Sequence, residues 1–353
     1  MTEPIHSAEA RPKAGQPLNI AVAGLGFMGL THLKAWRQVP FARLCAVMDM
    51  SEARLTGDLS SVGGNLGVAG EKFDFSAVRT YRSLDRLLAD PEVDAVDICL
   101  PTNEHADAVI AALRAGKHVL VEKPLARNEK ETAAILAEYK RSGRILMAAQ
   151  ILRFSPAYVA LADALKTAGR LDSAVFRRRC AAPTWSGWLS DPSRSGGGIF
   201  DLLIHDVDYC VSRWGVPSSV RAVGHEDLPR GIDVVHAELQ YPGSGPVIVT
   251  GGWHHPGAFP FSMEFTVVTD QCTFEWTHGA PHLHVYGPDT ESTNRDLPTG
   301  DAFAAEIAYF ADCVIHGRTP ERCMPEESAQ SIALMHRIIE SRKRNGETIP
   351  CKI

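Results

Sequence analysis

The stretch Leu18-Asn19-Ile20-Ala21-Val22-Ala23-Gly24-Leu25-Gly26-Phe27-Met28-Gly29 decides the fold. Residues 18–24 form a short apolar run, the pattern of a buried strand. Glycines at G-x-G-x-x-G spacing follow, and the residues beyond them read as helix to about Gln38. A lone G-x-G-x-x-G is weak evidence. Placed directly after a strand and at the start of a helix, it is the dinucleotide-binding fingerprint. Gly24 permits the tight turn. Gly26 lets the backbone approach a pyrophosphate at the positive helix N-terminus, and Gly29 lets helix and strand pack closely. Gly24, Gly26, Phe27, Met28 and Gly29 are therefore candidate cofactor contacts. The competing reading is a glycine turn in a flavodoxin-like domain, or in one binding another nucleotide.

The pattern continues outward. Apolar runs at 42–49, 94–101, 118–122 and 144–150 alternate with helical patterns at 103–116 and 128–143. Runs apolar on both faces, separated by crossover helices, indicate a parallel sheet covered on both sides. Asp49 ends the second run, twenty positions beyond Gly29. An acid there bonds the adenosine ribose hydroxyls. It also repels a 2′-phosphate. Met50 and Ser51 offer no cation, and Arg54 is a helical turn away, so NAD is the expected cofactor and NADP the alternative. Residues 60–70 are a glycine-rich loop, and there is no internal repeat.

With 353 residues, 45% of them hydrophobic and 22% charged, the chain is long enough for two globular domains. No apolar run approaches the ~20 residues of a membrane span. The first 17 residues lack an apolar core, so they read as a flexible tail and not as a secretory signal. The net charge of −6 gives no reason to expect a nucleic-acid partner. Eight cysteines include no C-x-x-C pair, and Cys45 and Cys99 lie in apolar runs, so reduced thiols and a cytoplasmic location are expected. His278, His282 and His284 have no cysteine or carboxylate at ligand spacing, so they read as surface histidines and no metal is expected. Arg177, Arg178 and Arg179 lie in a strand pattern that alternates their faces. Salt-bridged strand arginines are the plain reading, contact with an anionic substrate the sharper one.

Two further segments carry a family resemblance: Gly116-Lys-His-Val-Leu-Val-Glu122-Lys123-Pro124 and Gly196-Gly-Gly-Ile-Phe-Asp201-Leu-Leu-Ile-His205-Asp206. With the fingerprint, they make the chain resemble the Gfo/Idh/MocA oxidoreductases from residue 18 to about 345. The resemblance implies an α/β protein with a Rossmann dinucleotide-binding domain over 18–150, after the tail at 1–17. An α+β substrate and oligomerisation domain with an open, mostly antiparallel sheet would occupy 151–353. It also implies catalytic roles for Lys123, Asp201 and His205. Pro101, Thr102, Asn103 and His105 match the loop beside the nicotinamide and its ribose, and Glu122 matches a residue near that ribose. Arg153 matches a segment contributing to the active-site cleft. Gln150-Ile151-Leu152 and Leu203 depart from the usual family residues. The extra Asp206 and Asp208 resemble a branch acting on sugars or glycosides.

The residue types suit alcohol oxidation. Asp201 and His205, spaced i, i+4, share one face if 198–213 is helical. The adjacent glycines would let that helix start close to the cofactor. Lys123 ends a strand at the edge where open α/β sheets bind ligands. His205 or Lys123 would accept the hydroxyl proton while a hydride passes to the nicotinamide. Lys123 would also orient the hydroxyl, and Asp201 would hold substrate hydroxyls or orient His205. Trp185 and Trp188 could stack on sugar faces, with core or interface packing an equal reading. Trp253-His254-His255 reads as interface or cleft wall. Trp253, Phe265 and Val267 in alternate positions would favour a homodimer or homotetramer. The function expected is NAD(P)-dependent oxidation or reduction at a secondary alcohol of a sugar, glycoside or cyclitol. Alternatives are a redox-neutral hydrolase or lyase that retains NAD, and a non-catalytic regulator that senses the nucleotide.

Overall fold

The structure, a computed structural model, describes residues 17–64, 69–184, 186–288 and 292–352. The apolar runs of the first half become strands because each is hydrophobic on both faces. In chain order the elements are β1 (Leu18–Ala23), α1 (Phe27–Trp36), β2 (Ala42–Met48), α2 (Glu52–Leu55), β3 (Arg79–Tyr81) and α3 (Leu84–Leu88). Then come β4 (Ala95–Ile98), α4 (Thr102–Arg114), β5 (His118–Glu122), α5 (Glu129–Ser142) and β6 (Leu146–Ala149). Local chemistry bounds α5: Asn128 accepts the Glu131 N–H at its start, and Gly143 at φ 63° ends it. The six strands pair in parallel in the order β3-β2-β1-β4-β5-β6. The order reverses between β1 and β4. That switch point, outside the carboxyl ends of the strands, is where doubly wound sheets bind ligands.

The later elements are α6 (Pro156–Ala164), β7 (Leu171–Ala181), α7 (Pro192–Ser195), α8 (Gly198–Trp214), β8 (Ser219–Asp227), β9 (Ile232–Gln240) and β10 (Val247–His255). They continue with β11 (Ser262–Thr269), β12 (Thr273–Thr277), β13 (His282–Tyr286), β14 (Ser292–Asp296), α9 (Ala302–His316), α10 (Pro325–Lys343) and β15 (Ile349–Pro350). The second sheet runs β14-β13-β12-β11-β7-β10-β9-β8-β15. Its described neighbours are antiparallel except for the parallel pair β7/β10.

Strand alternation gives this sheet one packed face and one open face. Tyr158 of α6 sits over the packed face, with ring centroids 4.9 Å from Tyr209, 5.2 Å from Phe265 and 6.0 Å from Trp276. Trp253, Phe265 and Val267 point to the same side and are only 2%, 1% and 0% exposed. The expectation that these three form an oligomer face is therefore corrected: they are core. Trp253 packs in a cluster with Cys180 and Leu202. The open face instead carries Val175 and Val223, 40% and 45% exposed.

The chain divides into two compact units. One contains the residues up to Ala149 together with Phe303–Glu326, and the other contains Gln150–Ala302 and Glu327–Ile353. This division differs from a single boundary after residue 150 in where it puts 303–326. That segment groups with the first unit, where Ala148 donates to the Cys323 carbonyl and the Phe303 ring lies 6.1 Å from His32. Among the described residues no helix is long and apolar enough to cross a membrane. The expected tail lies, except for Pro17, outside the described residues.

Candidate active site

The first unit gathers its candidate residues at the carboxyl ends of β1, β2, β4 and β5. Gly24 has φ 94°, and a Cβ there would fall 2.6 Å from the Cys99 carbonyl oxygen. A Cβ on Gly29 would fall 1.9 Å from the Gly24 oxygen. Both positions require glycine. At Gly26 the opposite holds: among the described residues a Cβ would meet nothing within 4 Å. The space above it lies open at the N-terminus of α1, where no side chain caps the helix and no acid occupies the first turn. Free N–H groups, a positive helix end and open space suit a pyrophosphate. A dinucleotide fits this cradle. Phe27 and Met28 are half-buried beside it.

Asp49 follows β2 and is 7% exposed. Its Oδ2 accepts the Leu25 N–H at 2.7 Å and its Oδ1 accepts the Ser51 N–H at 2.7 Å. The acid therefore shapes the fingerprint loop as well as standing at its edge. Arg54 Nη1 lies 3.4 Å from Asp49 Oδ2, and its side chain is 42% exposed. This corrects the argument that no cation is at hand. The short α2 brings the guanidinium back onto the acid, where it can meet a 2′-phosphate.

Pro101 and Asn103 are half-buried at the start of α4, and Thr102 is buried. His105 is buried, with Nδ1 2.7 Å from the Pro124 carbonyl oxygen and Nε2 2.8 Å from that of Leu100. Burial drives its pKa below the ordinary histidine value, against the pull of those carbonyls. It ties together the segments that follow β4 and β5, so its imidazole is engaged inside the protein. Glu122 is also engaged: His32 Nε2 lies 3.1 Å from one carboxylate oxygen, and the Lys123 N–H donates to the other at 2.9 Å. Lys123 itself is half-buried.

In the second unit α8 carries the other candidates. Of residues 198–211, all described, every one is buried except Asp201 and His205. These two sit one turn apart and form the half-buried stripe of a stretch otherwise enclosed from Gly198 to Val211. Its start is fixed from below. Asp233 Oδ2 accepts the Ile199 N–H at 3.0 Å. A Cβ on Gly197 would fall 2.9 Å from that carboxylate, and one on Gly198 would fall 2.4 Å from the Trp253 ring. These glycines serve the close approach of Asp233 and Trp253, which is a different reason from proximity to a cofactor.

Several sequence candidates prove structural. Arg153 Nε and Nη2 each donate to Asp208 at 2.8 Å, and Nη1 meets Glu327. Its side chain is 6% exposed and braces the inside of this unit. Arg178 Nε donates to Asp206 at 2.7 Å, so Asp206 and Asp208 each pair with a buried arginine of the same unit. Arg177 and Arg179, on the open face, both pair with Glu264. Trp188 is half-buried, and Trp185 lies outside the described residues. All eight cysteines are free. His282 pairs with Asp296 at 3.0 Å. Among the described residues the group with metal-ligating atoms within 4.8 Å of one another is His32, Asp97 and Cys99. The sequence reading missed it. The signal was Asp97, a carboxylate inside a strand apolar on both faces, which requires a buried partner.

A doubly wound sheet with this cradle at its switch point, followed by an α+β unit, defines a nicotinamide-dependent oxidoreductase. Family models agree. Residues 18–150 match the NAD-binding Rossmann fold of an oxidoreductase family, and 165–275 match the GFO/IDH/MocA C-terminal domain. The chain belongs to the Gfo/Idh/MocA oxidoreductase family. It is 28% identical to scyllo-inositol 2-dehydrogenase (NAD(+)) of Bacillus subtilis, over 85% of this chain and 87% of that one. It is 31% identical to dTDP-3,4-didehydro-2,6-dideoxy-alpha-D-glucose 3-reductase of Streptomyces violaceoruber, over 84% and 85% of the two chains. Levoglucosan dehydrogenase in complex with NADH and levoglucosan shares the fold, with a TM-score of 0.83, 20% identity and coverage of 96% and 100%.

Proposed function

We propose that the protein moves a hydride between NAD(P) and a secondary alcohol or ketone of a sugar, glycoside or cyclitol. The observation that carries this reading is the Asp201–His205 stripe, the accessible part of a helix otherwise buried from Gly198 to Val211. The inositol and deoxysugar relatives support the substrate class. They support a dehydrogenase or reductase over an NAD-retaining hydrolase or a nucleotide-sensing regulator.

When bound, the nicotinamide supplies the hydride acceptor or donor. Gly26 and the α1 N-terminus hold the pyrophosphate. Pro101, Thr102 and Asn103 border the nicotinamide end, with Glu122 and His105 supporting the segments beside it. Lys123 orients the reacting hydroxyl and stabilises its developing negative charge. His205 accepts the hydroxyl proton and returns it in reduction. Asp201 holds a neighbouring substrate hydroxyl or orients His205. Trp188 lines the sugar subsite.

The first test is NADH fluorescence of the pure protein with NAD and a panel of sugars, glycosides and cyclitols. A rise with one class, absent in His205→Ala, is expected. NAD bound without any rise would turn the reading toward the redox-neutral alternative, and a released aglycone would identify it.

Asp49→Ala should weaken NAD about 10- to 100-fold, the loss of hydrogen bonds to a charged group. Arg54→Ala should raise the KM for NADP while sparing NAD. Steady-state kinetics with both cofactors checks the pair, and an unchanged NAD/NADP ratio in both variants would remove the assignment.

We also propose a homodimer or homotetramer formed through the open sheet face around Val175 and Val223. Light scattering on a size-exclusion column is expected to give a multiple of 38.4 kDa, and a single-chain mass would overturn it. The eight free thiols support a reducing, cytoplasmic setting, and the net charge of −6 supports a small-molecule substrate with no nucleic-acid partner.

A further inference from the structure

Beneath the strand end that carries Lys123 runs a buried chain of polar groups that the hydride chemistry does not touch. Trp36 Nε1 donates to Asp97 Oδ2 at 2.8 Å. His32 Nδ1 lies 2.8 and 3.0 Å from the two Asp97 oxygens. His32 Nε2 lies 3.1 Å from Glu122 Oε1, and the Lys123 N–H donates to Glu122 Oε2 at 2.9 Å. The His32 side chain is 0% exposed, Asp97 1% and Glu122 8%.

Each ring nitrogen of His32 faces a carboxylate. A neutral imidazole has a single N–H and would leave one buried carboxylate oxygen against a lone pair. Two protons satisfy both contacts, so the geometry calls for an imidazolium. Burial is the largest single influence and opposes that charge, yet the charges and hydrogen bonds of Asp97 and Cys99 together hold His32 well above the ordinary histidine value. Burial pushes the Cys99 thiol, 3.5 Å from Nδ1, up to about 12 and keeps it neutral. The counter-charge is therefore Asp97. Facing the cluster from other elements are the Phe303 ring, 6.1 Å from that of His32, and His105, which senses both Glu122 and Lys123.

We infer that His32 is a positioning residue for Lys123: clamped between Asp97 and Glu122, it fixes the carboxylate that holds the Lys123 main chain at the end of β5. The inference rests on Lys123 being catalytic, as proposed. A positively charged clamp suits this task. Without it Glu122 would share an enclosed space with Asp97 as a second like charge, and would turn away or take up a proton. Either response releases the Lys123 N–H. Misplacing a reacting group by about 1 Å costs roughly 100-fold in rate.

The test compares His32→Gln, Glu122→Gln, the double variant and Lys123→Met, with kcat normalised to bound NAD. Each of the first two should lower kcat about 100-fold. The Kd for NAD should change little in His32→Gln, because the Gly26 cradle is untouched. The double variant should be no slower than the slower single variant, because His32 acts through Glu122. Losses that multiply in the double variant, or normal kcat in His32→Gln beside an inactive Lys123→Met, would overturn the positioning role alone. Turnover retained in Lys123→Met would overturn the catalytic reading and the positioning role with it. Nitrogen-15 histidine spectra of the unaltered protein give a readout independent of variant folding. One imidazole should stay doubly protonated well above about pH 6.5, the ordinary histidine value. Spectra in which no imidazole stays doubly protonated above that value would sink the inference.

Discussion

Lys123→Ala is expected to lose turnover by about 10²–10³-fold, the usual worth of one donor aimed at charge that develops in the transition state, while NAD still binds. The two effects separate because different atoms carry them. On the proposed reading the cofactor's phosphates would rest in the open space at Gly26 and the uncapped start of α1. Its adenosine end would meet Asp49 and its ion-pair partner Arg54. None of these contacts involves the Lys123 side chain, which follows β5 at the carboxyl edge. Fluorescence quenching gives the Kd for NAD, and initial rates give kcat. Lys123→Arg keeps the charge but replaces a compact ammonium with a planar fork, so it should not restore the rate. Near-normal turnover in Lys123→Ala would remove Lys123 from the mechanism.

Asp206→Ala should destabilise the second unit by about 3–5 kcal/mol, the cost of leaving a buried charge without its partner. Arg178 is 3% exposed. Its guanidinium donates to both Asp206 oxygens, at 2.7 and 3.2 Å, and reaches the Tyr158 hydroxyl at 3.4 Å. Tyr158 also anchors the aromatic cluster of that unit, so the damage extends into the core. A fall in melting temperature of roughly 10 °C should follow. The variant Arg178→Met/Asp206→Leu should recover most of the loss, because it removes both charges and fills the space. A sugar-binding role for Asp206 predicts the reverse: an unchanged melting temperature and a raised substrate KM.

Much of this was legible in the sequence because the signals were local. The fingerprint glycines, the strand runs and the i, i+4 spacing of Asp201 and His205 depend on near neighbours in the chain. What escaped depends on distant partners or on weak patterns. β3 has three residues, too few for a hydrophobic period to register. β14, Ser292–Asp296, has no apolar residue at all. β13 reads as a histidine cluster, although Leu283 alternates into the core. The pairing of Arg153 escaped because nothing nearby in sequence announces Asp208, 55 positions away. The His32 cluster joins α1, β4 and β5 across the sheet, and only the misfit of Asp97 in an apolar strand pointed toward it.

The return of Phe303–Glu326 to the first unit has a consequence for how the molecule is made. On the ribosome, the dinucleotide-binding unit emerges first but cannot be completed until residue 326 has been synthesised, after most of the second unit. An N-terminal fragment ending near residue 150 would leave the Ala148 N–H and the ring of His32 without the neighbours that Cys323 and Phe303 provide. A separately expressible version would have to splice 303–326 back onto residue 149 through a linker. One proteolytic cut near residue 150 would leave the halves still threaded together by two other passages of the chain, at 302–303 and 326–327.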